Sequence, residues 1–300
     1  MNQGQRWERG ALWMAVTAGL FATCDMAVKQ LGGVLPVLVL VAFRYGFQAM
    51  ALATWVLVKS GMRAFRTSAP GLQFLRAALL LGNATTAFLG AQAMPLPEFS
   101  ALMMLAPIMS TLLSSALLGA QVMRAAWGWI GLALAGALLV IRPGTGSLGM
   151  ASLLPLASAA CMSGVHLINR RFGPSENLAV TNFFSAVGVL LMLPVAALWL
   201  SWPHADALAT LHGKEWLLLL TIGTAATVGH ITLSAAFRAA PISSIAPLAY
   251  LQIVFAVFFG WAVFKMVPDW ISLAGILMIA AGGAGNLLAH APAHKPAGPG

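Results

Sequence analysis

Apolar runs of about twenty residues recur from one end of this sequence to the other, and they constrain the fold more than any other feature. A helix needs about 20 apolar residues to cross the roughly 30 Å hydrocarbon core of a bilayer. In lipid a helix satisfies its own backbone hydrogen bonds, and these runs lack the period-two alternation of a membrane β-barrel. The sequence therefore predicts an all-α integral membrane protein.

Charged and turn-forming residues divide the chain into ten predicted spans, which we number in chain order. Hydrophobic residues make up 60% of the chain and charged residues 8%, with a mean hydropathy of +0.88, and this excludes an ordinary soluble domain. An even number of spans brings both termini to one side of the membrane. The predicted bounds are 11–31, 34–58, 70–92, 96–118, 126–141, 148–168, 178–200, 216–237, 242–264 and 270–288.

The positions of the basic residues predict the orientation. If both termini are cytoplasmic, the inner segments hold eleven of the sixteen Lys and Arg residues, and Arg44 lies in mid-membrane. The outer segments then hold Lys29, Arg142, Lys214 and Lys265. This asymmetry follows the positive-inside rule, so the net charge of +9 is a topology signal. We predict a bacterial-type inner membrane location with both termini cytoplasmic, and no nucleic-acid partner.

Other motifs match their usual functions poorly. The segment 10–24 follows two arginines as a signal peptide would, but no A-x-A site follows it. Residues 144–149 spell G-x-G-x-x-G, yet they follow an apolar helix and not a strand. The six histidines lack metal-ligand spacing, and the sequence has no P-loop. We expect no cofactor and no bound metal.

The two halves of the sequence end alike. Span four contains Pro107 and precedes a span led by Trp129, while span nine contains Pro247 and precedes a span led by Trp270. Because five spans is an odd number, a duplicated half must insert in the opposite orientation. The sequence therefore predicts a five-plus-five inverted repeat. The two repeats and a disordered cytoplasmic tail are expected at 1–142, 149–290 and 291–300.

These features resemble the EamA-type transporters of the drug/metabolite transporter superfamily over nearly the whole chain. The matching motifs are DMAVK in span one, FRYG in span two, ALMMLAP in span four, RPG before span six, and the run 229–261 followed by VPDW. The resemblance implies ten helices around a central cavity that moves small organic metabolites, often amino acids, usually outward. Many relatives carry Glu where this chain has Ala120 and Met266.

Arg44 is the single charge in a 25-residue run from Val34 to Val58. At about 1.5 Å per residue it lies near the midplane, where insertion costs at least ~2.5 kcal/mol, so it should face protein or water. It is either a cavity cation that contacts substrate or a structural tie to a neighbouring helix. Its expected partner is Asp25, the candidate for proton coupling. Alternatively, Asp25 pairs with Lys29 near the outer surface.

Uncharged polar residues deep in the spans form a second group of candidates. Each either contacts substrate or makes an inter-helix hydrogen bond. They are Asn83 in span three, His230 in span eight, and Tyr250 and Gln252 in span nine. Trp261 is the aromatic candidate in a largely apolar wall.

Pro107 and Pro247 interrupt corresponding spans of the two halves. Paired interruptions point to a transport site, although prolines can also simply kink packed helices. We therefore predict a substrate site between spans three, four, eight and nine, with Arg44 nearby.

The predicted function is secondary transport by alternating access. Export of small organic metabolites is expected, with amino acids, including aromatic or other hydrophobic ones, as the first candidates. The alternatives are a passive channel and a membrane-embedded enzyme acting on a lipid-linked substrate; enzymatic activity is not expected. The predicted partners are a small-molecule substrate and the lipid bilayer, and the chain is expected to be a monomer or a weak homodimer.

Overall fold

A computed structural model of the chain describes residues 3–62, 65, 67, 69–119, 122–142, 149–172, 178–199, 211–240 and 242–289. Within these ranges the regular elements are all helical, and ten spans are long and apolar enough to cross a membrane. The predicted ten-span, all-α membrane fold is confirmed. Ala120, the predicted junction between the repeats at 143–148 and the predicted tail at 291–300 lie outside the described residues.

Seven spans are single α-helices, and three contain shorter pieces. The single helices are Gln3–Gln30, Val37–Ser60, Pro70–Ala93, Arg124–Ile141, Leu178–Trp199, Gly213–Ala239 and Trp270–Ala289. Span four consists of Leu96–Met103 and Ala106–Leu118, and span six of the 3₁₀ turn Gly149–Ser152 and Leu153–Phe172. Span nine consists of Ile242–Ile245, the 3₁₀ helix Ala246–Tyr250 and Leu251–Phe264.

Both spans that contain the two prolines are irregular near them. Span four breaks at Met104 and Leu105, directly before the turn that holds Pro107. Span nine passes through a 3₁₀ helix with Pro247 near its start. A proline has no N–H to donate, and its ring clashes with the carbonyl four residues earlier, so the preceding turn cannot continue as regular α-helix.

Spans five and ten pack against each other at backbone distance and run antiparallel. A Cβ added to Gly136 would lie 2.6 Å from the carbonyl oxygen of Gly275, and a Cβ on Gly275 would lie 2.6 Å from that of Gly136. A Cβ on Gly282 would lie 2.6 Å from the Trp129 carbonyl oxygen. Trp129 precedes Gly136 in span five, whereas its neighbour Gly282 follows Gly275 in span ten. The two helices therefore run in opposite directions. Small residues make this close approach possible.

The most extensive contacts between spans follow the same pattern in both halves. Span one packs on spans eight and nine, and its counterpart, span six, packs on spans three and four. Span two packs on span eight as span seven packs on span three. Spans two and seven, four and nine, and five and ten each contact their own counterpart. An inverted repeat of five spans would produce this arrangement, and both the repeat and its boundaries stay predictions.

Candidate functional site

A cavity of about 530 Å³ lies at the centre of the bundle, between the two predicted halves. Its wall is contributed by spans one, two, three, four, six, eight, nine and ten, and it is mostly apolar. Six of the predicted site residues line it, namely Asp25, Arg44, Asn83, Pro107, His230 and Gln252. Ligand sites in proteins commonly combine such an apolar wall with a few polar groups.

The cavity extends from mid-membrane toward the side that holds the N-terminus. Val122, Phe237 and Leu287 line it, and each lies close to where a span ends or begins on that side. Asp25 and Arg44 lie at the opposite, deep end, several residues from the nearest span ends. The charged pair of candidates is thus placed at the bottom of a vestibule that reaches one membrane face.

Asp25 is bound by span nine and not by its neighbour on span one. Gln252 donates a hydrogen bond from Nε2 to Asp25 Oδ2 at 3.1 Å, which joins spans one and nine. Lys29 instead donates to the carbonyl oxygens of Ala91 and Met94, at 3.1 and 2.7 Å. These carbonyls lie at the end of span three, where a helix leaves its last carbonyls without intrahelical partners. In the described part of the chain, the predicted alternative of an Asp25–Lys29 ion pair is therefore not formed.

Arg44 is held beside aromatic rings. Its guanidinium carbon lies 5.3 Å from the ring centre of Tyr45 and 5.5 Å from that of Phe88, which is cation–π distance. Among the described residues its buried Nε has no hydrogen-bond partner, and it forms no salt bridge with Asp25. The expected direct contact between the two charges is absent, although both line one cavity. An unpaired buried donor is costly, so a bound anionic group would stabilise it.

Asn83 and His230 line the cavity and also contact neighbouring helices. Ser158 donates to both Oδ1 and the backbone carbonyl of Asn83, at 2.8 and 3.0 Å, which joins spans three and six. His230 packs edge-on against Phe21 of span one, with ring centres 5.3 Å apart. The structural and the substrate-facing interpretations are therefore compatible for both residues.

The other predicted site residues of span nine do not line the cavity. The Tyr250 hydroxyl donates to the Met104 carbonyl at 3.1 Å, so a side chain from the irregular turn of span nine satisfies a carbonyl at the break in span four. Trp261 is 56% exposed on the outside of the bundle, a position that gives no support for a substrate contact. Pro247 itself is not in the cavity wall, but Ala246 and Ala249 beside it are.

The sequence analysis did not identify a salt bridge at the membrane face opposite the vestibule. Arg142 forms a salt bridge with Asp269 and donates to Ser272 Oγ at 3.1 Å, which connects spans five and ten. Asp269 Oδ1 also accepts the Ser272 backbone N–H at 2.8 Å. The hydrogen bond from Arg142 holds the pKa of Asp269 well below its usual range. An Arg just after span five and an Asp just before span ten were the available signal.

Arg76 is a second residue whose environment the charge pattern does not indicate, because it enters that pattern only as one of the eleven basic residues on the N-terminal side. It is buried, and its guanidinium donates to Asn169 at 2.8 Å, to Asn182 at 2.9 Å, to the Thr181 carbonyl at 3.2 Å and to Ser185. These bonds connect spans three, six and seven. The asparagines near the ends of spans six and seven on that side were the signal that could have predicted this cluster.

The known proteins that this sequence resembles are named as transporters. The sequence pattern of the EamA-like transporter family matches residues 149–288. A riboflavin transporter of Brucella anthropi is 30% identical over 233 residues, covering 77% of this chain and 81% of that protein. The pseudopaline exporter CntI of Pseudomonas aeruginosa is 26% identical over 272 residues, covering 90% and 93%. An S-adenosylmethionine uptake transporter of Rickettsia prowazekii is 24% identical over 271 residues, covering 90% and 89%.

A crystal structure of a protein 17% identical to this chain has the same fold. The two superpose with a TM-score of 0.66, over 92% of this chain and 95% of the other.

Proposed function

Since the chain belongs to the EamA-like transporter family of the drug/metabolite transporter superfamily, we propose that it is a secondary transporter that exports amino acids or similar zwitterionic metabolites by alternating access. The observation that carries this proposal is the mid-membrane cavity with Asp25 and Arg44 at its deep end. Charges are costly in the hydrocarbon region and mark substrate or ion pathways when they face a cavity.

The chemistry of the cavity fits a zwitterion with an apolar group. The carboxylate of an amino acid would pair with Arg44, and its ammonium group would approach Asp25. The side chain of the substrate would contact the apolar wall, which includes Phe21 and Phe88. A cavity of about 530 Å³ lies within the range of small-molecule sites. Aromatic and other hydrophobic amino acids are therefore the first candidates.

The names of the relatives describe different cargoes and directions. They are a pseudopaline exporter, a riboflavin transporter and an S-adenosylmethionine uptake transporter. Family membership alone therefore leaves direction open. Our proposal of export rests on the usual direction that the sequence resemblance implies, and a cavity open to the predicted cytoplasmic side is compatible with it.

Alternating access requires closed contacts on one side that can break. At and beyond the deep end of the cavity, two contacts between described residues join the predicted halves: Arg142 with Asp269, and Gln252 with Asp25. Breaking them while the N-terminal side closes would expose the deep end to the other face. The antiparallel packing of spans five and ten supports an inverted-repeat basis for this motion.

Reconstitution in liposomes tests the proposal. Labelled amino acids that range from aromatic to small and charged are assayed for uptake and for counterflow against an internal pool of the same compound. Saturable uptake with counterflow by an aromatic or hydrophobic amino acid is expected. Unsaturated conductance would instead indicate a channel, and turnover of a lipid-linked substrate by the purified protein would indicate an enzyme.

A further inference from the structure

A second concave site lies on the outside of the bundle, at the N-terminal-side ends of spans one and eight. We call it the basic groove. Its volume is about 310 Å³, and its wall is formed by Arg6, Arg9, Trp13, Ala235, Arg238 and Ala239. It shares no lining residue with the central cavity, so its role is separate from the proposed substrate path.

Helical spacing and close helix packing bring the three arginines together. Arg6, Arg9 and Trp13 follow at i, i+3 and i+7, which places them on one face of span one. Span eight approaches closely at this level, because a Cβ on Gly10 would lie 2.7 Å from the Cβ of Ala240. Arg238 therefore faces the same groove from the neighbouring helix.

The groove carries three positive charges and no carboxylate in its lining. Glu8, the acidic residue between the first two arginines, is not part of its wall. In the described part of the chain, Arg6 and Arg238 form no salt bridge. Like charges held close together repel, and a phosphate offsets that repulsion while accepting paired hydrogen bonds from the planar guanidinium groups.

An apolar track continues from the basic groove toward the membrane interior. On span one, Val16 lies seven residues after Arg9 on the same face and is 38% exposed. On span eight, Ile231 lies seven residues before Arg238 and is 37% exposed. Trp13 lies between the charged and apolar parts, as aromatic residues do at a membrane interface.

We propose that the basic groove binds the phosphate headgroup of an anionic phospholipid in the leaflet on the N-terminal side, with its acyl chains along this apolar track. Free phosphate shares the headgroup chemistry but would not use the track. Basic pockets between membrane helices bind such headgroups because their positive charges lie at the level of the lipid headgroups. Because the groove joins spans one and eight, a bound lipid would stabilise the contact between the two predicted halves.

The test compares lipids on purified protein in neutral detergent. The thermal unfolding midpoint is measured with phosphatidylglycerol, with phosphatidylcholine, and with inorganic phosphate or soluble glycerol phosphate at equal concentration. Phosphatidylglycerol should raise the midpoint more than the others do. Equal stabilisation by both lipids would overturn the proposal, and equal stabilisation by a soluble phosphate would reduce it to an anion site.

Substitutions inside and outside the basic groove test whether the lipid binds there. Arg238→Gln should weaken phosphatidylglycerol binding roughly fivefold, and adding Arg9→Gln should weaken it by about as much again. Arg124→Gln, which removes an exposed arginine from outside the groove, should leave binding unchanged. Equal loss in all three variants would refute the assignment. If the groove variants do not fold, native mass spectrometry of the unsubstituted protein decides, because retention of both lipids equally from an equimolar mixture would contradict the site.

Discussion

At the scale of single residues, Arg44 and Asp25 share the deep end of the cavity without forming a direct ion pair. Each is stabilised in another way, Asp25 by Gln252 and Arg44 by two aromatic rings. A direct pair would neutralise both charges and leave little attraction for a substrate. Their separation leaves both charges available to a zwitterion, as the proposed function requires.

Replacing Arg44 separates a substrate contact from a structural role. A charge-assisted hydrogen bond contributes about 1.5–3 kcal/mol, so Arg44→Ala should raise the KM for a carboxylate substrate roughly tenfold or more, and Arg44→Lys should raise it less. Counterflow kinetics measure the change, and thermal unfolding checks the fold. Loss of folded protein in both variants would instead assign Arg44 to structure.

Replacing Asp25 tests proton coupling. Asp25→Asn retains an oxygen that can accept the hydrogen bond from Gln252 but cannot release a proton at neutral pH. We expect counterflow to continue while accumulation driven by a pH gradient is lost. The measurement is substrate uptake into liposomes with and without that gradient. Unchanged gradient-driven uptake would remove Asp25 from the coupling mechanism.

Arg76 is expected to matter for stability and not for substrate. Arg76→Ala would remove the hydrogen bonds that join span three to Asn169, Thr181 and Asn182, and a hydrogen bond to a charged group contributes about 1.5–3 kcal/mol. The thermal unfolding midpoint should fall by several degrees, with little change in KM. Arg124→Ala, an exposed arginine at the start of span five, is the matched control. Similar midpoints for the two variants would contradict the proposed role.

At the scale of helices, the breaks in spans four and nine are connected through Tyr250. Its hydroxyl satisfies the Met104 carbonyl, and its ring packs against span ten at a position where only glycine fits. A Cβ on Gly283 would lie 1.7 Å from the Tyr250 hydroxyl oxygen. The paired breaks and span ten therefore hold one another in place.

Gly283→Ala should displace Tyr250 and break its hydrogen bond to span four. Since both residues are buried, we expect a loss of about 1–3 kcal/mol of stability together with a lower transport rate. Thermal unfolding and counterflow measure the two effects. Gly131→Ala is the control, because nothing lies within 4 Å of a Cβ there. A Gly283→Ala protein as stable and active as the control would show that Tyr250 is not held in this way.

Apolar runs and prolines are sufficient to predict the ten spans and the two breaks, because both depend on local chemistry. The rotation of each helix about its axis depends on its neighbours, and for that reason the sequence did not separate Gln252, in the cavity wall, from Trp261, which is outside. The partner of Lys29 is the end of span three, and the partners of Arg76 come from spans six and seven. The polar residues near the span ends are visible in the sequence, but which of them meet depends on how the helices pack.

At the scale of the whole molecule, the Arg142–Asp269 bridge joins spans five and ten at the face opposite the vestibule. Asp269→Asn should favour opening there, and labelling of Cys24 by a membrane-impermeant maleimide from that side should become roughly two- to fivefold faster. The assay uses a Cys161→Ser background, since Cys24 lines the cavity. Lys214→Gln, a charge change outside the bridge, is the control. Equal labelling rates in both variants would show that the bridge does not restrain opening.

The same bridge has a defined pH dependence. Because the pKa of Asp269 is depressed in the folded protein, the bridge is fully present above the ordinary Asp pKa and is lost only as pH falls through the depressed value. Because maleimide reacts with the thiolate, the labelling rate of Cys24 falls with pH in every variant, and the informative quantity is the ratio of the rate in Asp269→Asn to that in the unsubstituted protein. This ratio should be the same at pH 5.5 and pH 7.5, and a smaller ratio at pH 5.5 would point to another titrating group.

The backbone contact between spans five and ten has a further consequence. Gly136, Gly275 and Gly282 bring the last helix of each half to a distance at which main chain meets main chain. The two predicted halves therefore meet as the protomers of an antiparallel dimer would, with one close helix contact between them. In a molecule built this way, the central cavity belongs to the interface, because both predicted halves contribute to its wall and neither lines it alone.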